Sequence, residues 1–220
     1  VGLEYVSSFC LMPGENFEPS NFEVFIPNNS WCEELNWRKF TLEELGLGNK
    51  KLSGTHKKFS LSNTGNYSTK SYLPMGVLYN KNDDTSLLWQ IESSCSWTWE
   101  LSYAFKNLFL RVSGPSELEN FWWKNLKPNE TFVTVNTAIV FSDGNFNASI
   151  EELTKYRRVI RRKNEDNEKL CIIFNDYMNC LMGEPREETV RETIRLAAEL
   201  GCEYYCMDAG WYDDGYWWDR

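Results

Sequence analysis

The sequence holds a single histidine in 220 residues, which excludes a multi-histidine metal site and a catalytic pair of histidines. Basic residues are scarce: 23 Lys and Arg stand against 32 Asp and Glu, leaving a formal charge of −9. That balance repels phosphate backbones and anionic headgroups, so neither nucleic acid nor a membrane surface is an expected partner. No apolar run approaches the roughly 18 residues that a membrane-spanning helix needs. No C-x-x-C pair occurs among the seven cysteines, Cys10, Cys32, Cys95, Cys171, Cys180, Cys202 and Cys206. Their odd number and scattered spacing do not form a disulfide framework, and a reducing, cytoplasmic setting is the expectation. Cys202 and Cys206 read as small apolar core residues around a buried strand. No metal or cofactor set is recognisable, and none is expected. The chain opens Val-Gly-Leu-Glu-Tyr and stops at Trp-Trp-Asp-Arg. Both ends read as cut, and the expectation is a fragment of a longer protein.

What the sequence does have is aromatic surface: 10 Trp, 11 Tyr and 13 Phe, 15% of the chain. Flat apolar rings with a polar tip suit both sheet packing and stacking on sugars. From Val1 to about Phe141 the dominant pattern is period-two alternation. Phe22, Val24 and Ile26 share one face of a strand, as do Leu87, Trp89 and Ile91. Cys95, Trp97, Trp99, Leu101 and Tyr103 alternate with Ser96, Thr98, Glu100 and Ser102. Leu108, Leu110 and Val112 follow, and then Val133, Val135, Thr137, Ile139 and Phe141. Strands wet on one face and apolar on the other belong to antiparallel sheets packed on one side. Turns at Asn82-Asp83-Asp84, Ser113-Gly114-Pro115 and Lys127-Pro128-Asn129 separate them, and a sandwich is the natural closure. Its core should include Trp97, Trp99, Leu101, Val133, Val135 and Ile139.

At Ser142-Asp143-Gly144-Asn145 the period changes. Ser149 and Glu152 form a capping box ahead of Ile150, Leu153, Tyr156 and Ile160, which predicts a helix from about Ile150 to Arg162. A charged run, Arg161 to Asp166, reads as a solvated end to that helix. Beyond it, Cys171 to Phe174 is a short continuous apolar run, as in a strand buried on both faces. Pro185 opens a helix whose Val190, Ile194 and Ala197 keep helical spacing and which Gly201 stops. Tyr204 to Met207 is a second buried strand, so the segment is a βαβ unit with parallel strands.

Asn175 and Asp208 directly follow these two strands. Where parallel strands converge in a barrel, their C-terminal ends form the active site. A carboxylate at Asp208 can accept hydrogen bonds from neighbouring sugar hydroxyls, and the indole of Trp211 can pack on a sugar C–H face. The plainer roles are a helix N-cap for Asp208 and a turn residue for Asn175.

The stretches Cys171 to Tyr177, Ala197-Ala198-Glu199-Leu200-Gly201 and Tyr205-Cys206-Met207-Asp208-Ala209-Gly210-Trp211 resemble the opening of a glycoside hydrolase family 36 barrel, the melibiases, mostly α-galactosidases. Upstream, Trp97 to Glu100, Leu126 to Phe132 and Tyr156-Arg157-Arg158 resemble the β-supersandwich and linker of that family. The resemblance implies three parts: residues 1–148 as a β-supersandwich, 149–169 as a linker helix and 170–220 as the start of a truncated (β/α)8 barrel. It implies a mainly β chain, and substrate-binding roles for Asp208, Trp211, Asn175 and Tyr177 toward oligosaccharides ending in α-galactose. The family typically has Asn-x-Trp after the first barrel strand and Asp-Asp-Gly-Trp after the second. Here Tyr177 replaces the tryptophan and Ala209 replaces the second acid, removing charge-assisted bonds worth roughly 1.5–3 kcal/mol if nothing compensates. Asp213, Asp214 or another loop could compensate for it.

The resemblance also implies that this chain holds no catalytic residue. Retaining hydrolysis needs two carboxyl groups about 5–5.5 Å apart, and in the family both lie on later barrel strands. A full barrel takes about 250 residues, and only residues 170–220 are given to it. The expectation is an inactive N-terminal part of a retaining α-galactosidase-like hydrolase. Two other functions remain open: a non-catalytic carbohydrate-binding sandwich, with Trp97/Trp99 or Trp122-Trp123 as its platform, and a galactosyl transferase of the raffinose-synthase kind. Homo-oligomer formation is compatible with each. Four N-x-S/T sites (Asn28, Asn66, Asn129, Asn147) matter only in a eukaryotic secretory setting.

Overall fold

In a computed structural model, the structure describes residues 1–14, 17–48, 56–63, 65, 67–104 and 107–212. The sequence readings at Asn66, Asp213 and Asp214 lie outside them. Two compact units result, Val1–Ile160 and Arg161–Arg220.

The first unit is mainly β, and its strands follow the alternation. β1 (Gly2–Leu3), β2 (Ser7–Gly14), β3 (Phe22–Ser30), β4 (Glu33–Thr41) and β5 (Lys57–Asn63) come first. They are followed by β6 (Ser71–Tyr72), β7 (Met75–Asn80), β8 (Thr85–Glu92), β9 (Trp97–Ala104) and β10 (Asn107–Ser113). A short helix α1 (Glu117–Asn120), β11 (Lys124–Asn125), β12 (Asn136–Asp143) and the helix α2 (Phe146–Ile160) complete the unit. One sheet runs β2-β10-β9-β5, and the other runs β12-β8-β7-β3-β4 with β6 added beside β3. All pairings in both sheets are antiparallel.

The two sheets meet through their apolar faces. Trp97, Trp99 and Leu101 of β9 are fully buried, as are Leu108, Leu110 and Val112 of β10. They pack against Val24, Ile26, Leu87, Trp89 and Ile91 of the opposite sheet. Trp89 meets Trp99 edge-on, with ring centroids 5.0 Å apart. The Trp97 indole N–H donates to the Ser68 carbonyl at 2.6 Å. With both rings of the Trp97/Trp99 pair inside, that pair offers no aromatic platform for a ligand.

Two expectations shift here. Val133 is 77% exposed, because the β12 ladder begins at Asn136 opposite Glu92, where β8 ends. Val135 and Ile139 do pack against the core, though partly exposed. The helix α2 starts a turn before the expected capping box: the Asn145 side-chain carbonyl accepts the Asn147 N–H at 3.0 Å. Ser149 is therefore inside the helix and buried, its hydroxyl 2.7 Å from that of Ser86. Leu153 packs on Met75, Val77 and Leu88, so α2 covers the outer face of the larger sheet. Tyr156 donates to Glu92 at 2.6 Å and Arg157 donates from Nε to the Gln90 side chain at 2.8 Å.

The second unit holds α3 (Asp166–Lys169), β13 (Ile173–Asn175), α4 (Glu187–Glu199) and β14 (Tyr204–Cys206). β13 and β14 pair in parallel, with Phe174 opposite Tyr205 and Asn175 opposite Cys206. The crossover helix starts at Glu187, two residues after Pro185, and Gly201 ends it with a left-handed φ of 86°. Val190 and Ala197 are its buried residues. Phe174 and Tyr205 stack, centroids 5.5 Å apart. The strands are not buried on both faces. Ile173, Tyr204 and Cys206 are exposed, because one crossover helix covers one side of a two-stranded ladder. Cys206 is thus not a core residue, and Cys202 is half-buried; all seven cysteines are free.

Gly76 sits opposite Trp89 in the ladder, and a Cβ there would run into the indole ring. Trp89 is fully buried and cannot move aside. Gly76→Ala should therefore cost about 1–3 kcal/mol, read as a lower urea midpoint at unchanged slope. An unchanged midpoint would contradict this packing.

Candidate functional site

The parallel ladder ends at Asn175 and Cys206, which brings the loops after β13 and β14 side by side. Asn175 donates from Nδ2 to Asp208 Oδ2 at 2.7 Å, and its Oδ1 accepts the Tyr177 backbone N–H at 2.9 Å. The amide is thereby oriented from both ends. Asn175 and Asp208 are both exposed. A carboxylate offers about four lone-pair sites, so after Asn175 is served Asp208 retains acceptor capacity toward solvent.

Beneath them lies Asp176, only 1% exposed. Its Oδ1 accepts the Asp208 backbone N–H at 3.0 Å, and its Oδ2 accepts the Tyr205 hydroxyl at 3.1 Å. Its own N–H donates to the Cys206 carbonyl at 3.2 Å. The Tyr205 hydroxyl also lies 2.7 Å from Thr193 Oγ1 on α4. Burial pushes the Tyr205 phenol above its ordinary pKa; the Asp176 carboxylate adds to that, against the Thr193 bond. Tyr205 therefore stays protonated and donating at neutral pH. One buried carboxylate ties strand β14 and both loops together, Tyr205 carries the tie on to α4, and the backbone from which Asp208 projects is fixed.

Of the residues that the sequence singled out, Asn175 and Asp208 are in direct contact. Tyr177 is half-buried and begins a distorted helical turn, Tyr177–Leu181. Trp211, on the loop after Asp208, is 64% exposed and meets Tyr212 edge-on at 5.2 Å, so its ring faces are not stacked on that neighbour. Gly210, at φ 96°, lies so close to the Gly183 backbone that no Cβ fits between them. That approach joins the two loops a second time. In the sequence, Asp176 carries no signal beyond being an acid that directly follows a strand and stands beside Asn175. Among the described residues no group of three or more His, Cys, Asp or Glu could hold a metal ion. Nor is any helix among them long and apolar enough to cross a membrane.

Asp176→Ala leaves the Asp208 N–H and the Tyr205 hydroxyl without this acceptor, at about 1–3 kcal/mol of lost stability for each. Amide hydrogen exchange should show it directly, with the Asp208 N–H losing protection. Unchanged protection at Asp208 would mean that Asp176 does not hold the loop.

No family model matches the chain. An α-galactosidase of Lactobacillus acidophilus is 28% identical to it over 95 residues, covering 42% of this chain and 13% of that protein. Among solved structures, a family 36 α-galactosidase of Geobacillus stearothermophilus superposes with a TM-score of 0.75 at 19% identity, covering 96% of this chain and 27% of its own. An α-galactosidase of Lactobacillus brevis gives a TM-score of 0.72 at 14% identity, over 96% of this chain and 26% of its own. The chain thus spans about a quarter of the length of these solved relatives. Over that quarter its fold is the fold of the family 36 α-galactosidases.

Proposed function

We propose that this chain is the N-terminal part of an α-galactosidase-like retaining glycoside hydrolase, and that the loops after β13 and β14 hold the terminal sugar of an oligosaccharide. The observation that carries this reading is the Asn175–Asp208 pair, bonded at 2.7 Å at the C-terminal ends of adjacent parallel strands. Support comes from the solved Geobacillus stearothermophilus relatives, whose structures include complexes with raffinose and with stachyose. The exposed Ile173 and Tyr204 on the uncovered side of the ladder also fit a sheet that further strands would continue and close.

In this reading Asp208 accepts two hydroxyls of the galactosyl ring, Asn175 holds the carboxylate, and Trp211 and Tyr177 flank the sugar. The nucleophile and the acid/base belong to later strands of the longer protein. The nucleophile attacks the anomeric carbon as the leaving oxygen takes the acid's proton, and water then releases the glycosyl-enzyme with retention. Fixing the hydroxyls lets binding energy distort the ring toward the transition state.

The 220-residue chain alone should not turn over an aryl α-galactoside, whereas the longer protein should hydrolyse it with retention by NMR. Inversion would rule the mechanism out. In that longer protein Asp208→Asn weakens two charge-assisted bonds by about 1.5 kcal/mol each, near a 150-fold loss in kcat/KM. Asn caps helices as well as Asp does, so near-normal kinetics at unchanged Tm would assign Asp208 to capping and overturn the sugar site.

A further inference from the structure

The sandwich carries a second polar site, on the side of the smaller sheet that faces away from the tryptophans. There the strands set polar side chains abreast: Ser62, Thr98 and Ser113 in one row, and Ser60, Glu100 and Arg111 in the next. Such a face is ordinarily wet, yet Thr98 is 5% exposed and Glu100 is 8% exposed. The Glu4-Tyr5 segment and α1 overhang it and leave a cleft of about 270 Å³. Lys58, Ser60, Thr98, Glu100, Arg111 and Tyr5 line this cleft.

Two features make it a built site rather than a dent. The Thr98 hydroxyl is buried and has no hydrogen-bond partner among the described residues, a state that costs free energy until something supplies one. Beside it, the Glu100 carboxylate and the Arg111 guanidinium stand 3.2 Å apart, with Lys58 at 4.0 Å from the other carboxylate oxygen. Arg111 is held in place over the Tyr5 ring, 5.7 Å from its centroid. An acceptor fixed beside a donor matches neighbouring hydroxyls, each of which both gives and takes a hydrogen bond.

Charge and size narrow the ligand. Among the described residues, Glu4, Glu100, Glu117 and Glu119 border the cleft against Lys58 and Arg111, which disfavours an anion. The volume falls below the roughly 300–1,000 Å³ of pockets for drug-sized molecules, so it suits one ring rather than an extended chain. We infer that this cleft binds a single neutral sugar ring, with Thr98, Glu100 and Arg111 as its hydrogen-bonding floor. The inference stands on the first unit alone and does not depend on the role of Asp208.

The test is a ¹⁵N NMR titration of the 220-residue chain with methyl α-galactoside, methyl α-glucoside and raffinose, with inorganic phosphate as the anionic probe. At least one sugar should give saturable shifts of the Ser60, Thr98, Glu100 and Arg111 amides, and phosphate should give none. Thr98→Val removes a hydroxyl that has no protein partner, so the melting temperature should hold or rise while sugar affinity falls about fivefold or more. Absence of any saturable sugar shift in the wild-type chain would overturn the inference. So would equal affinity in Thr98→Val, or saturation of these amides by phosphate. Shifts confined to Asn175, Asp208 and Trp211 would also overturn it, while supporting the strand-end site.

Discussion

The contact on which the first unit depends is the edge-on meeting of Trp89 and Trp99 across the two sheets. Both rings are fully buried, and neither indole N–H has a hydrogen-bond partner among the described residues. Burying a tryptophan of about 200 Å² is worth about 5 kcal/mol at 25 cal/mol/Å². An orphaned N–H costs about 1–3 kcal/mol, so burial outweighs the lost bond. The absence of a side chain at Gly76 follows from the same packing, since the Trp89 ring occupies the space a Cβ would need. With the tryptophans turned inward, strict alternation turns Thr98, Glu100 and Ser102 to the other side. The polar row beneath the overhanging Glu4-Tyr5 segment is therefore a consequence of how the core is filled.

The second unit rests on a different force. Its short ladder and single crossover helix bury little apolar surface, and the ordering of its strand-end loops comes from a buried acid. Asp176 serves one donor from the backbone at Asp208 and one from the Tyr205 phenol. A buried carboxylate is tolerable only when its acceptor sites are filled, and here each oxygen has a donor. This division leaves the exposed acid, Asp208, with acceptor capacity toward solvent beyond its bond to Asn175, while the buried one supplies rigidity. Hydrogen bonds fixed before a ligand arrives reduce the ordering that binding must supply.

Much of this was legible in the sequence because it depended on local periodicity. The Trp97-Trp99-Leu101 face, the hairpin turn at Asn82-Asp83-Asp84 and the parallel βαβ segment each follow from spacing within one or two elements. The closeness of Asn175 and Asp208 was legible as position, since Asn175 ends β13 and Asp208 lies two residues beyond β14. What escaped the sequence depended on partners distant along the chain. Val133 has the alternation of a core strand but no ladder partner, since β8 stops at Glu92. Ser149 looks like a cap, yet Asn145 caps first and Ser149 bonds Ser86, far away in sequence. Asp176 gave no more signal than any acid in a turn, because its role rests on Tyr205 and on the backbone of Asp208. The apolar runs of β13 and β14 imply two covered faces, and the described residues cover one.

The central claim is that Asp208, positioned by Asn175 and Asp176, takes the hydroxyls of a terminal galactose. A crystal structure of the longer protein with bound galactose tests it most directly. The account predicts the Asp208 carboxylate within hydrogen-bond distance, about 2.5–3.2 Å, of two galactose hydroxyls, with the Asn175 and Asp176 bonds intact. A galactose bound with Asp208 beyond that distance from every hydroxyl would contradict it.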